Sequence, residues 1–144
     1  MANELTSEVR QLVDGPNFAH LATLMPDGSP QSVPVWIGRE GDHLVICTGE
    51  NSLKGRNTLR DPRVALSIVN FANPYEEVQI RGRVTERRPD PDLKMMDPIS
   101  HKYTGKPLSK QKKLLTLFNI KALMSLIIIH NKLWNLKEKP HMNL

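Results

Sequence analysis

A short stretch, residues 48–57, combines hydroxyl, cationic and amide side chains that could hold an anion. It follows an apolar run at 43–47 that has the character of a strand. If a helix begins after that strand, the side-chain donors converge with the free N–H groups of the first helical turn. The stretch has neither the glycine frame of the P-loop nor the GxGxxG fingerprint of dinucleotide-binding folds. We therefore expect either a phosphate site of another kind or a solvated helix start, with the candidate ligands Thr48, Ser52, Lys54, Arg56 and Asn57.

The net charge of +5 is distributed unevenly along the chain. Residues 1–107 hold 13 Lys and Arg against 14 Asp and Glu, a net charge of −1. Residues 108–144 hold 7 Lys, no Arg and one acid, a net charge of +6. Because the excess of basic residues lies entirely in the last segment, the composition does not indicate a nucleic-acid partner.

A length of 144 residues predicts one compact domain. The single cysteine, Cys47, excludes an intramolecular disulfide and a cluster of thiolate ligands, so we expect no metal site. The N-terminus lacks the basic and apolar regions of a signal peptide, which predicts a cytoplasmic location. The most apolar segment, 122–129, has about half the length of a membrane-spanning helix, so no membrane span is expected.

Sequence patterns predict a mainly β fold with short helices. We expect strands at 18–24, 31–37, 43–48, 64–69 and 75–87 and helices at 4–13, 52–60 and 90–103. An Asp27-Gly28 turn joins the first two strands, and residues 38–42 are expected to turn into a third strand of the same meander. Closely spaced strands favour an antiparallel barrel, because parallel neighbours need crossovers of about a dozen residues or more.

The predicted strand at 75–87 has the clearest alternation of apolar and polar residues. Its pattern turns Val78, Ile80 and Val84 toward the core. Gly82 interrupts the pattern, which indicates a bulge or a close approach of another backbone.

The last segment, 108–144, differs in composition from the rest, since all eight glycines and all nine arginines lie before it. It is either part of the same domain or an appended tail. Apolar residues at 114–123 fall roughly on one side of a helix, whereas 125–129 could equally be a strand. A packing or dimer-covering element, a lysine-flanked membrane-surface helix and partial disorder are the alternatives.

Several short motifs stand in a characteristic order: Leu21-Ala-Thr-Leu24, Asp27-Gly-Ser-Pro-Gln31, Pro34-Val-Trp36, 48–57, Leu59-Arg-Asp-Pro-Arg63 and Gly82-Arg-Val84. Together they resemble the pyridoxamine 5′-phosphate oxidase-like split-barrel superfamily, most closely its branch of F420-dependent oxidoreductases. The resemblance covers about residues 5–107 and implies a split-barrel cofactor-binding domain at 1–107. It also implies a homodimer with a flavin or deazaflavin ring in a groove between the subunits.

The resemblance also assigns roles to individual residues. Ser52-Leu53-Lys54 lies where relatives that bind FMN have a Ser-Arg-Lys phosphate clasp, with Thr48 before it and Asn57 behind it. Because Leu53 replaces the arginine, the implied cofactor is F420, whose single phosphodiester Lys54 would hold with its neighbours and with Arg56. The other residues that the resemblance places beside the cofactor ring are Pro34, Val35 and Trp36.

The implied function is hydride transfer between F420 and a small organic substrate. The alternatives are an FMN-dependent oxidase or reductase on the same scaffold and a non-catalytic flavin or haem carrier. We nominate no catalytic residue, because the redox chemistry belongs to the cofactor ring. Three of the candidate residues also have a structural alternative: Lys54 and Arg56 as solvated charge, and Trp36 as core or dimer packing. The arginines that could form the outer face of a strand or a basic rim are Arg81, Arg83, Arg87 and Arg88.

Overall fold

The computed structural model describes residues 4–108 and 115–129, which form an antiparallel sheet and three short helices. The helices are α1 Ser7–Asp14, α2 Leu53–Arg60 and α3 Met96–Thr104. The strands are β1 Ala19–Leu24, β2 Pro30–Val35, β3 Gly38–Glu40, β4 His43–Gly49, β5 Arg63–Val69, β6 Glu76–Pro89 and β7 Leu115–Ile129. The predicted mainly β fold with short helices is therefore confirmed.

The seven strands form one sheet in the order β2-β1-β5-β6-β7-β4-β3. Every pair of neighbours is antiparallel. One hydrophobic core of the described residues contains side chains of α1 and of strands near both ends of this order, among them Val35 of β2 and Leu44 of β4. The sheet must therefore bend around the core, as the strands of a barrel do.

The first hairpin forms as the sequence predicts. β1 and β2 pair along their whole length, from Ala19 opposite Val35 to Leu24 opposite Pro30. The Asp27 carboxylate accepts hydrogen bonds from both the backbone and the hydroxyl of Ser29, which closes the turn.

The predicted three-stranded meander is wrong. Gly38–Glu40 was expected to lie in a turn, but it forms β3 and pairs with β4. These two strands occupy the end of the sheet opposite β2, so β4 does not continue the first hairpin. The second neighbour of β4 is β7, about 70 residues away in sequence, and local turn signals carry no information about that pairing.

The last segment supplies β7, the strand that joins the two halves of the sheet. Leu115–Ile129 pairs with β6 on one side and with β4 on the other. The strand alternative at 125–129 is confirmed, whereas the helical pattern at 114–123 is wrong, because the same strand already begins at Leu115. Residues 109–114 and 130–144 lie outside the described part, and the predicted boundary at 107 stays a prediction.

β6 confirms the expectations for the long strand. Val78 and Ile80 are fully buried, and Val84 packs against the same core. The register of β6 with β7 shifts between Arg81 and Gly82. A Cβ added at Gly82 would lie 2.6 Å from the Lys121 carbonyl oxygen, so the close approach of the β7 backbone requires the glycine.

Candidate functional site

The first turn of α2 begins directly after β4, as the sequence predicts. Ser52 caps the helix, because its Oγ accepts a hydrogen bond from the Gly55 N–H at 3.1 Å. The Thr48 hydroxyl, at the end of β4, also donates to Ser52 Oγ, at 3.2 Å. Because the Ser52 oxygen accepts two hydrogen bonds, its own O–H remains available to donate to a further group.

Asn57 and Arg56 face in different directions. Asn57 is buried, and its amide nitrogen donates to Thr23 Oγ1 at 3.0 Å. Its oxygen accepts from the Arg60 guanidinium at 2.9 Å. Asn57 therefore connects α2 to β1, and its amide nitrogen and oxygen both have hydrogen-bond partners within the chain. Arg56, in contrast, is exposed.

Half of the predicted cofactor-binding residues line one cavity of about 310 Å³. They come from two separate parts of the chain: the end of β2 and the residue after it, and the first turn of α2. β2 is an edge strand of the sheet, where a proline costs no ladder hydrogen bond. These residues are Pro34, Val35, Trp36 and Lys54.

The remaining walls of the cavity are mostly apolar and come from elements whose role the sequence did not indicate. Met96 and Ile99 of α3 form one wall, and Phe18 and Cys47 complete it. α3 lies far from β2 and α2 in the sequence, so only the tertiary fold brings these residues together. Burial raises the pKa of the Cys47 thiol to about 12, which keeps it protonated.

Lys54 is the cation of the cavity. Among the described residues its ammonium has no hydrogen-bond or ion-pair partner. Desolvation lowers the pKa of Lys54 below its ordinary value, since burial disfavours the charged form. An unpaired ammonium in an apolar wall is stabilised when an anion binds beside it.

Trp36 both packs and lines the cavity. Its indole stacks on the ring of Tyr103, with centroids 5.3 Å apart and an interplanar angle of 6°. Tyr103 is itself fixed, because its hydroxyl donates to the Asn17 carbonyl at 2.7 Å and accepts from the Ile37 N–H. Phe18 adds a half-exposed ring 5.4 Å from Tyr103. The three packed rings of Phe18, Trp36 and Tyr103 therefore form a rigid edge of the cavity.

The four arginines of the predicted outer face differ in their environment. The Arg88 guanidinium forms an ion pair with the Glu40 carboxylate, and a second guanidinium nitrogen lies 3.8 Å from the Glu86 carboxylate. Arg87 turns toward α2. Arg81 and Arg83 are exposed, so any basic rim contains these two at most.

Two further structural observations bear on the site. His20 and His43 are exposed and do not line the cavity. Within 4–108 and 115–129, no three His, Cys, Asp or Glu side chains are grouped to hold a metal ion.

Comparison with known proteins agrees with this architecture. The family model for pyridoxamine 5′-phosphate oxidase matches residues 5–123. An F420 reductase superposes with a TM-score of 0.74 at 28% identity, covering 81% of this chain and 94% of that one. A conserved hypothetical protein from Mycobacterium tuberculosis has a TM-score of 0.74 at 23% identity, covering 100% and 95%. General stress protein 26 from Bacillus anthracis has a TM-score of 0.65 at 17% identity, covering 84% and 91%.

No curated protein matches the chain. The family match runs from the residue before the cap of α1 into β7, so it includes every residue that lines the cavity. It also agrees with the resemblance that the short motifs indicate. The chain belongs to the pyridoxamine 5′-phosphate oxidase family and has its split-barrel fold.

Proposed function

We propose that this protein is an F420-dependent oxidoreductase whose cavity binds the deazaflavin cofactor beside Lys54. The observation that carries the proposal is the half-buried ammonium of Lys54, which has no partner among the described residues and lies in an apolar cavity beside Trp36. A cation in that setting favours an anionic ligand with an apolar planar part.

The residues present fit such a cofactor. Lys54 and the remaining O–H donor of Ser52 suit a phosphate oxygen. The apolar walls suit a ring, and a volume of about 310 Å³ is at the lower end of ordinary ligand pockets. Pro34 is exposed at the edge and has no N–H to be left unpaired when a ring lies against it.

The charge of the site supports F420 over FMN. The phosphodiester of F420 carries one negative charge, whereas a phosphate monoester such as that of FMN carries about −1.5 to −2. Lys54 supplies one ammonium, and its neighbour Leu53 supplies none. The F420 reductase that resembles this chain at 28% identity supports the same choice.

When bound, the deazaflavin ring supplies the hydride donor or acceptor. The residues of the chain bind and orient the cofactor and exclude water from the ring. Lys54, with Ser52 at the cap of the same helix, would hold the phosphodiester. Trp36 with the α3 residues Met96 and Ile99 would shield the ring. The Cys47 thiol stays neutral and adds no charge to the cavity.

We propose that the enzyme is a homodimer acting on a small organic molecule. The cavity within one chain is sized for a ring and one phosphate, so the rest of F420 and the substrate need additional surface. Phe18 and Pro34 at its edge are exposed, which leaves that side open to a second copy of the chain.

The direct test is a fluorescence titration of F420 against the wild type and Lys54→Ala. We expect the variant to bind about ten to a hundred times more weakly, because a hydrogen bond to a charged group is lost. Lys106→Ala removes an exposed lysine away from the cavity and should bind F420 as the wild type does. Thermal unfolding of each variant checks that the fold is retained.

Equal affinities of the wild type and Lys54→Ala would contradict the phosphate assignment. A purified protein that carries flavin absorbance and fails to bind F420 would favour the FMN-dependent alternative. Tight F420 binding without turnover on a panel of quinones and enones would favour a carrier.

A further inference from the structure

A chain of hydrogen bonds joins β6 to the first turn of α2. The Arg87 guanidinium donates to Thr58 Oγ1 at 2.6 Å and to the Gly55 carbonyl at 3.0 Å. Thr58 Oγ1 in turn donates to the Lys54 carbonyl at 2.8 Å. Arg87 is thus connected, through one hydroxyl, to the backbone of the residue that we place against the phosphate.

The guanidinium is fixed on its other side as well. Its central carbon lies 4.3 Å from the centroid of the Phe118 ring, and Phe118 is fully buried in β7 opposite Arg87. Such a cation–π contact holds the group over the ring. Arg87 therefore bridges the centre of the sheet and the start of α2 without lining the cavity.

α2 depends on contacts of this kind for its position. It has eight residues, and a helix of that length is not stable without tertiary packing. A helical side chain points back toward the N-terminus of its helix, so the orientation of the first turn decides where the Lys54 ammonium lies. A small rotation of that turn would move the ammonium out of the cavity.

We propose that Arg87, acting through Thr58, is a positioning residue that aims Lys54 at the cofactor phosphate. This inference rests on the proposed function. It makes a specific claim: loss of Arg87 weakens binding of the phosphate part of the ligand and leaves binding of the ring unchanged. A purely structural role would weaken both together.

The test compares two ligands, F420 and its phosphate-free deazariboflavin core. Arg87→Leu keeps an apolar contact with Phe118 and removes the donors, whereas Thr58→Val removes only the hydroxyl. We expect each variant to bind F420 about tenfold more weakly and the core as tightly as the wild type does. Arg87→Lys, which keeps a donor for Thr58, should restore part of the F420 affinity. Arg88→Leu, which removes an arginine on the same strand that pairs with Glu40 and does not line the cavity, is the matched control and should change neither affinity.

A second arm tests whether the effect passes through Lys54. Because Arg87 acts on Lys54, Arg87→Leu should cause no further loss of F420 affinity in a Lys54→Ala background. An additive loss would overturn the inference, and so would an equal loss of both ligands. If Arg87→Leu does not fold, Thr58→Val, which is close in shape and uncharged, decides the question.

The outcomes also separate this inference from the proposed function. A wild-type protein that binds F420 no more tightly than the core has no phosphate site, and both proposals then fail. A wild-type preference for F420 that Arg87→Leu and Thr58→Val retain overturns the positioning role alone.

Discussion

Lys54 and Asn57 show how far the position of a residue in the sequence predicts whether it lines the cavity. The spacing places both on α2, and the structure confirms that helix. The cavity contains Lys54, whereas Asn57 is buried with its amide bonded to Thr23 and Arg60. An amide has the same spacing in the sequence whether or not its atoms have partners, so only the fold shows that the Asn57 amide is already hydrogen-bonded within the chain.

The lowered pKa of Lys54 leads to a prediction about pH. The phosphodiester binds the protonated ammonium, so affinity is full below the pKa of Lys54 and is lost as pH rises through it. Since burial lowers that pKa from 10.5, the loss begins at a lower pH than it would for an exposed lysine. We expect F420 affinity to fall as pH rises from neutral toward 10.5, while the affinity of Lys54→Arg, which stays charged, remains nearly constant.

The phosphodiester keeps one negative charge across this pH range, so its own ionisation does not change the affinity. A wild-type affinity that is constant over the range, with Lys54→Arg behaving identically, would show that the ammonium of Lys54 does not hold the ligand.

At the scale of elements, local patterns predicted most of the helices and strands, but neither β3 nor the neighbours of β7. α2 and the hairpin of β1 and β2 have signals within about ten residues: a serine cap, a proline stop and an Asp-Gly turn. His43 of β4 pairs with Lys121 of β7, and no local sequence pattern near either residue predicts this pairing. α3 is also far in sequence from β2 and α2, so local patterns could not predict that Met96 and Ile99 form a wall of the cavity.

Gly55 tests how closely α2 packs at its start. Alanine normally stabilises a helix by about 1 kcal/mol relative to glycine. At this position a Cβ would lie 2.5 Å from the Glu50 carbonyl oxygen and 3.1 Å from Ser52 Oγ. We expect Gly55→Ala to lower the free energy of unfolding by about 1 to 3 kcal/mol, because the backbone must shift. Urea denaturation measures this change, and F420 affinity should fall with it.

Gly49→Ala is the matched control, since a Cβ there would meet nothing within 4 Å and its φ is not positive. Its free energy of unfolding should stay close to that of the wild type. A Gly55→Ala protein as stable as the wild type, or more so, would mean that the start of α2 is not held tightly against the turn before it.

At the scale of the whole molecule, the family could be predicted from the sequence. The motifs between Leu21 and Val84 are individually short, but their order indicated the split-barrel family, and the match over 5–123 confirms it. The choice of cofactor could not be predicted in the same way, because it depends on the charge at single positions such as Leu53 and not on the order of the motifs. No helix in the described ranges is long and apolar enough to cross a membrane.

The central claim is that the ammonium of Lys54 neutralises the phosphodiester of the cofactor in this cavity. The most direct test is a crystal structure of the protein with F420 bound. We predict a phosphodiester oxygen within about 4 Å of Lys54 Nζ, with the deazaflavin ring in the cavity beside Trp36. F420 bound elsewhere, with Lys54 Nζ pointing into solvent, would contradict the account.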